Sequence, residues 1–294
     1  MLNPALGLSI FRMVCLLCEK YIKIKNSLNY SPHVRFLAFQ SYLTSHPLLH
    51  QLNSIPYNFD NKIAADIGTG LGILPCLLKN RNAGKIIGID SDRELLNAGS
   101  SLIEDKNVYF ICADGFNMPI KDASFDAVFI RYVFQHVNLS DDFLIEVKRV
   151  MKDDGILVII DIDDELNLFY PDLPERSENL FKIYSEYQKL KGGDRFISKK
   201  LPAFLSAHGF RDIKVKPYTA TFFSKKDNDF NFAGLKDAFL LIQNELELVK
   251  NDLFKENLIG MAEFHKGLND YFNFLNSKEY LFISKTEFVI TGKK

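Results

Sequence analysis

The sequence predicts a doubly wound α/β fold: a mostly parallel, Rossmann-like sheet with helical additions at the N-terminus and before the last strand. Three observations predict it. Apolar runs alternate with helical stretches from Lys62 to Asp163, the pattern of parallel strands joined by crossover helices. The stretch IAADIGTGLG, Ile63 to Gly72, couples one such strand to glycines at alternate positions. A second strand, KIIGID, ends on Asp90, at about the interval (roughly 20 residues) where a doubly wound fold places a ribose-binding carboxylate.

The elements follow in order. The first 60 residues, punctuated by Pro32, Pro47 and Pro56, read as helices ahead of the sheet. Strands are expected at KIAADI (62–67), KIIGID (85–90), NVYFICAD (107–114), FDAVFIRY (125–132) and ILVIIDID (156–163). Ser140 is placed to cap a helix carrying Phe143, Leu144, Val147, Val150 and Met151 on one face, closed by Asp153-Asp154-Gly155. Pro174 opens a helix over Glu175 to Leu190 and Gly192-Gly193 stops it. A shorter helix, Lys200 to His208, precedes a strand near FRDIKVKPY. Leu235, Phe239, Ile242, Leu246, Val249 and Leu253 then step along one long helix face, and Met261, Phe264, Leu268, Tyr271 and Leu275 along a second. The last strand is EYLFISKTEFVITGKK. The expected division is a helical cap over 1–60, a cofactor-binding core over 61–226, a helical insertion roofing the acceptor site over 227–278, and the last core strand over 279–294.

Composition narrows the classes of function. Hydrophobic residues make up 47% of the 294, as in an ordinary globular protein, and a net charge of −1 offers no basic field for nucleic acid or an anionic membrane. Four cysteines in apolar surroundings, Cys15, Cys18, Cys76 and Cys112, fit a reducing, cytoplasmic setting better than a disulfide framework. Cys15 and Cys18 form a CxxC without a second pair to complete a zinc site, so they read as buried thiols. The apolar start is interrupted by Arg12 and lacks a basic leader, so it reads as a packed helix, not a signal peptide or stable membrane insertion.

The glycine turn indicates a nucleoside cofactor. Gly68, Gly70 and Gly72 let backbone lie against a ligand, and the helix that should start near Leu71 points free N–H groups at it. Dinucleotide sites favour G-x-G-x-x-G; here the spacing is G-x-G-x-G, and Asp66 precedes it. That carboxylate crowds a pyrophosphate but suits an amino-acid ammonium group. Asp114, at the end of the third strand, is placed to accept from an adenine amino group, with the Gly115-Phe116 backbone at the ring edge. His136 follows the fourth strand and is the leading general-base candidate, with Tyr132 behind it; a packing role is the competing reading for the histidine. Asp161, Asp163, Asp164 and Glu165 end the fifth strand, read as a solvated strand end in preference to a metal site.

With DIGTGLG, Asp90, ADGFNMPIKDASFDAVF, IRYVFQHV, VKRVMKDDGILVIIDID and GGDRFISKKLPAFLSAHGF, the sequence resembles the class I S-adenosylmethionine-dependent methyltransferases of the small-molecule type. The resemblance covers most of 30–222 and the end, 280–294. It implies a seven-stranded sheet and S-adenosylmethionine as cofactor. Asp66, Gly68, Thr69 and Gly70 would line its methionine end, with Arg131 flanking it. Asp90 and Ser91 would lie at the ribose and Asp114, Gly115 and Phe116 at the adenine. Asp153-Asp154-Gly155 stands where the family has Pro-Gly-Gly, and any tight turn serves there.

The reaction implied is in-line methyl transfer to an O, N or C atom of a small, apolar or aromatic acceptor, with no metal and no nucleic-acid partner. A homodimer is compatible with the apolar helix stripes. The alternatives are an NAD(P)-dependent oxidoreductase and a cofactor-binding protein without methyl transfer. A loop of Asn/Asp-Pro-Pro-Tyr type, which would hold a flipped base, is replaced by RYVFQH.

Overall fold

The computed structural model describes residues 17–79, 81–103, 105–225, 229–277 and 280–294. A helix over 17–26 (α1) and α2, Pro32–Asn53, precede the sheet. Ser31 caps α2, its Oγ accepting from Val34 N–H at 3.3 Å, and Pro32 opens the helix where a missing N–H costs nothing. The core then alternates as β1 (Ile63–Ile67), α3 (Ile73–Lys79), β2 (Lys85–Asp90), α4 (Arg93–Leu102) and β3 (Val108–Cys112). It continues with β4 (Phe125–Arg131), α5 (Asp141–Val150), β5 (Met151–Ile162) and the short β6 (Leu168–Tyr170). The rest is α6 (Glu175–Leu190), α7 (Leu201–Ala207), β7 (Arg211–Lys225), α8 (Asp229–Lys255), α9 (Met261–Ser277) and β8 (Tyr280–Lys293).

The eight strands run β3-β2-β1-β4-β5-β8-β6, with β7 on β8. The first five are parallel, and β8 is antiparallel to β5, β6 and β7. Successive strand side chains serve opposite faces. Ala64, Ile86, Phe129 and Val158 pack with α2, α3 and α4 on one side, while Ala65, Ile87, Val128 and Ile159 pack with α5 and α7 on the other. Because both faces are covered, these strands appear in the sequence as unbroken apolar runs.

The doubly wound class expected from the sequence is the one observed, with four differences of detail. α3 begins at Ile73, two residues later than expected, because Gly72 still holds φ +76°. β5 begins at Met151, since the Asp153-Asp154-Gly155 turn, with Asp154 at φ +59°, is a kink within the strand, opposite a register shift in β4. β7 runs 15 residues, beyond the FRDIKVKPY segment, because β8 offers it a partner along its length. β6 is an eighth strand, three residues long and too short to show periodicity.

Helices α6, α8 and α9 close their own core around Leu180, Leu246, Leu253, Phe264 and Leu268. In the second stripe Met261 is the exception, exposed at the start of α9. The side chains of Leu235 and Phe239 lie outside the described residues, as do Arg12 and Cys15, so the CxxC pair and the apolar start are not described. Cys18 is half-buried with Sγ 3.3 Å from Ser45 Oγ, and Cys112 is exposed rather than apolar-packed. Among the described residues no helix is long and apolar enough to cross a membrane.

Candidate active site

Strand register builds the site. Ile67 pairs with both Ile89 and Ile130, and Asp90 pairs with Cys112, so β1, β2, β3 and β4 end flush. The segments leaving them open at one carboxyl edge, where doubly wound sheets bind ligands.

The turn after β1 holds Gly68 at φ +75° and Gly70 at +54°. A Cβ on Gly68 would run into the Val133 side chain, whereas one on Gly70 would meet no protein atom within 4 Å. Gly68 is thus required by packing, and Gly70 leaves open space beside the turn. Gly70 N–H donates to Asp90 Oδ2 at 2.8 Å and Asp92 N–H to Oδ1 at 3.0 Å. A carboxylate oxygen has two lone pairs, so Asp90 keeps acceptor capacity while its orientation is fixed from both sides.

Below the turn, four buried polar atoms make no well-formed hydrogen bond: Asp66 Oδ1, Thr69 Oγ1, and Arg131 Nε and Nη2. Burial pushes the Asp66 carboxyl up to about 7, against the pull of Thr69 and Arg131. Buried polar atoms in native proteins are normally paired, so such a group marks a ligand's place. A carboxylate, a hydroxyl and a guanidinium are the complement of an α-amino acid's ammonium and carboxylate. The residues present therefore fit the methionyl end of S-adenosylmethionine.

Farther along the edge, Asp114 is exposed and its Oδ1 accepts from Phe116 N–H at 3.0 Å. The Phe116 ring is 38% exposed and rests 5.1 Å, centroid to centroid, from Phe143. A Cβ on Gly115 would stand 2.9 Å from that same Phe143 ring. Ser91 is exposed next to Asp90. The edge thus gathers Asp66, Gly68, Thr69, Gly70, Asp90, Ser91, Asp114, Gly115, Phe116 and Arg131.

His136 follows Val133 on the turn after β4, its N–H donating to Val133 O at 2.9 Å. Its Nδ1 is 3.4 Å from Gln188 Oε1 on α6, and it is absent from the cavity wall described next. Crowding by protein atoms lowers its pKa against the pull of Glu245, although the residue keeps an exposed face.

Beyond β4 opens a cavity of about 630 Å³ between α2, α6, α8, β6, β7 and β8. Tyr132 and Gln135 line it from the turn whose Val133 packs on Gly68. Tyr132 holds φ +55°, rare for a bulky residue and a backbone cost that persists only where the surroundings impose it. Its N–H is held by Ile160 O at 2.9 Å, and the Arg131 guanidinium carbon sits 4.0 Å from the ring centroid. Its hydroxyl donates to Glu287, which also accepts from Gln51 Nε2 at 2.5 Å.

Glu287 and Lys285 are residues the sequence reading passed over. The available signal was KTE, 285–287, two charges inside an otherwise apolar strand. Arg195 was also passed over; it bonds Asp164, with Glu245 at 3.4 Å, and Tyr184 donates to Glu245 at 2.6 Å. The acid run after β5 is not a solvated strand end: Asp161 and Asp163 are buried. Burial raises Asp161 to about 7, against the pull of N–H groups from Ile162, Gln135 and Phe134. Among the described residues no cluster of three or more His, Cys, Asp or Glu is arranged to hold a metal.

Comparison with known proteins agrees with this geometry. Residues 65–159 match the family described as a methyltransferase domain. The chain is 27% identical over 160 residues to a demethylmenaquinone methyltransferase of Lactobacillus johnsonii, covering 51% of this chain and 64% of that protein. It is 31% identical over 150 residues to the demethylmenaquinone methyltransferase of Geobacillus stearothermophilus, covering 46% and 64% respectively. The chain thus spans a little under two thirds of the length of these curated relatives. A solved structure of Haemonchus contortus phosphoethanolamine N-methyltransferase 2 with S-adenosyl-L-methionine shares the fold, with a TM-score of 0.54 at 16% identity over 93% of this chain and 60% of that one. The sheet order, the glycine turn and the family match converge: residues 65–159 form a methyltransferase domain on a fold of the class I, S-adenosylmethionine-dependent type.

Proposed function

We propose that the protein transfers the methyl group of S-adenosylmethionine to an O, N or C atom of a small acceptor held in the cavity beside Tyr132. One observation carries this reading. The turn that packs on the cofactor edge, through Val133 against Gly68, also lines the cavity, through Tyr132 and Gln135. Bound there, S-adenosylmethionine supplies a sulfonium methyl open to in-line displacement. The chain's own work is alignment and exclusion of water. Asp66 and Arg131 hold the amino-acid end, Asp90 and Ser91 the ribose, and Asp114, Gly115 and Phe116 the adenine.

Leu43, Ile162, Phe169, Phe181, Phe222 and Ile242 give the cavity an apolar lining suited to an apolar or aromatic acceptor. The relatives named for demethylmenaquinone support that acceptor class. The helices before the sheet and α8–α9 roof the site. Where the acceptor arrives protonated, Tyr132 Oη takes its proton as the Tyr132 hydroxyl passes its own to the Glu287 carboxylate, and His136 is the alternative base.

The test is calorimetric titration with S-adenosylhomocysteine and with NAD(H), followed by transfer of the labelled methyl group from tritiated cofactor into product over a panel of aromatic acceptors. Binding of S-adenosylhomocysteine alone, with turnover on at least one acceptor, is expected. Binding of the dinucleotide alone overturns the reading, and persistent cofactor binding without transfer favours a non-transferring protein.

A further inference from the structure

Three cations line the cavity, and they differ in what they touch. Lys182 pairs with Glu178 at 2.8 Å near the exposed mouth. Arg195 pairs with Asp164 and Glu245. Lys285, on β8, makes no hydrogen bond or ion pair among the described residues, although it is half-buried in the wall of the same cavity. The carboxylates around it are engaged elsewhere: Asp164 by Arg195 and Asn167, Glu245 by Tyr184 and Arg195, and Glu287 by Tyr132 and Gln51. Each already accepts from two donors, and none lies within ion-pair distance of the amine.

An ammonium held in such a space without a partner is costly, and interiors keep charges where something pairs with them. Burial lowers the Lys285 pKa, against the pull of Asp164, Glu245 and Glu287 and helped by the Arg195 charge. Of the three cations in the cavity wall, Lys285 is therefore the one that offers its donor to an incoming anionic oxygen, set beside the apolar Ile162, Phe169 and Phe222.

Resting on the methyltransferase reading for its setting, the geometry points to a finer substrate class: we propose that the acceptor carries an anionic oxygen, a carboxylate or a phenolate, on an apolar body, and that Lys285 Nζ pairs with it. Lys285 then fixes which end of the acceptor enters first, leaving the opposite end toward Tyr132. It is a specificity residue and takes no part in breaking the carbon–sulfur bond.

The experiment titrates the full chain, with and without S-adenosylhomocysteine, using three probes of closely similar shape at one near-neutral pH: biphenyl-4-carboxylate, 4-hydroxy-3-nitrobiphenyl, whose phenol is already ionised there, and biphenyl-4-carboxamide. An anionic probe is expected to bind at least about ten-fold tighter than the amide, with the preference abolished in Lys285→Met and kept in Lys285→Arg. Which anion gains more separates the carboxylate from the phenolate source. Thermal melting of Lys285→Met is expected at or above the wild-type midpoint, since an unpaired charge has gone. Equal affinity for anion and amide, no saturable binding of any probe, or an anion preference surviving Lys285→Met overturns the proposal. A wild-type protein that fails to bind S-adenosylhomocysteine would instead break the methyltransferase reading, and a Lys285-dependent anion preference would outlive it.

Discussion

The cofactor edge and the cavity share a turn but are assembled in opposite ways. The edge is built from the ends of four adjacent parallel strands, each followed by a short contiguous segment: 66–70, 90–91, 114–116 and 131. Its chemistry uses main-chain N–H groups, glycines and carboxylates whose positions follow from strand register alone. The cavity draws Tyr132 from the turn after β4, Tyr184 from α6, Glu245 from α8 and Glu287 from β8, with Gln51 of α2 behind Glu287, joined by long-range contacts between side chains. On the proposed function, the cofactor would be gripped by a local, repeatable device and the acceptor by a non-local one.

The sharpest way to break this contrast is to fill the space beside the turn. Gly70→Val places a β-branched side chain where no protein atom lies, at a φ of +54°. Strain of about 1–3 kcal/mol is expected in stability, with loss of S-adenosylhomocysteine binding by more than about a hundred-fold, since the side chain occupies the ligand's volume. Gly68→Ala, by contrast, collides with Val133, so folding and binding should fail together. Calorimetry paired with thermal melts distinguishes the two. If Gly70→Val binds normally, the open space is not the cofactor's.

Next comes the acid beneath the turn. Asp66 has a folded-state pKa of about 7 against an ordinary value of 3.8. The folded empty protein therefore holds more protons than the unfolded chain between these values, and this group's contribution to stability falls as pH rises from about 4 to about 7. The slope integrates to a few kcal/mol at most. Asp66→Asn should flatten that part of the stability–pH curve relative to wild type, read by urea melts across the window. Bound cofactor should flatten it as well, because its ammonium stabilises the carboxylate. A wild-type curve unchanged by the substitution would mean that Asp66 is ionised and paired throughout.

How much of each region could be read from the sequence follows from the same contrast. DIGTGLG, the acid at 90 and the Asp114-Gly115-Phe116 turn lie beside the strands that position them, so spacing along the chain stands in for distance in space. Glu287 and Lys285 have no such marker: a charge within an apolar strand signals a special environment without naming its partner. Tyr132 carried no sign of its left-handed backbone, which depends on Ile160 O and Glu287 together. The acid run after β5 misled because solvation was inferred from charge, whereas Asp161 is turned inward against the N–H groups of its own strand and the 134–135 turn. β6 escaped notice for want of length.

Asp90→Ala is a smaller perturbation on the cofactor side. Removing it frees Gly70 N–H and Asp92 N–H and deletes the acceptor expected at the ribose. Hydrogen bonds to a charged group are worth roughly 1.5–3 kcal/mol, so S-adenosylhomocysteine affinity should fall about ten- to a hundred-fold while the Lys285-dependent probe preference stays. Parallel loss of both would show that edge and cavity are not separable.

The smallest expected effect sets the two proton-acceptor assignments against each other. The His136 ring makes one side-chain hydrogen bond among the described residues, 3.4 Å to Gln188, and lies off the cavity wall, so His136→Ala should leave S-adenosylhomocysteine affinity within about two-fold and cost roughly 0.5 kcal/mol of stability. Tyr132→Phe removes a hydroxyl that is paired with Glu287 and points into the shared wall. It should preserve cofactor affinity as well, but lower kcat on a protonated acceptor with KM little changed, and Glu287→Gln should reproduce that split. The pattern separates a proton acceptor from a packing residue, since loss of packing alone would raise KM. If His136→Ala instead abolishes transfer while Tyr132→Phe retains it, the proton is taken by the imidazole, oriented by Gln188 on α6, and the boundary between edge and cavity lies farther from β4 than Tyr132.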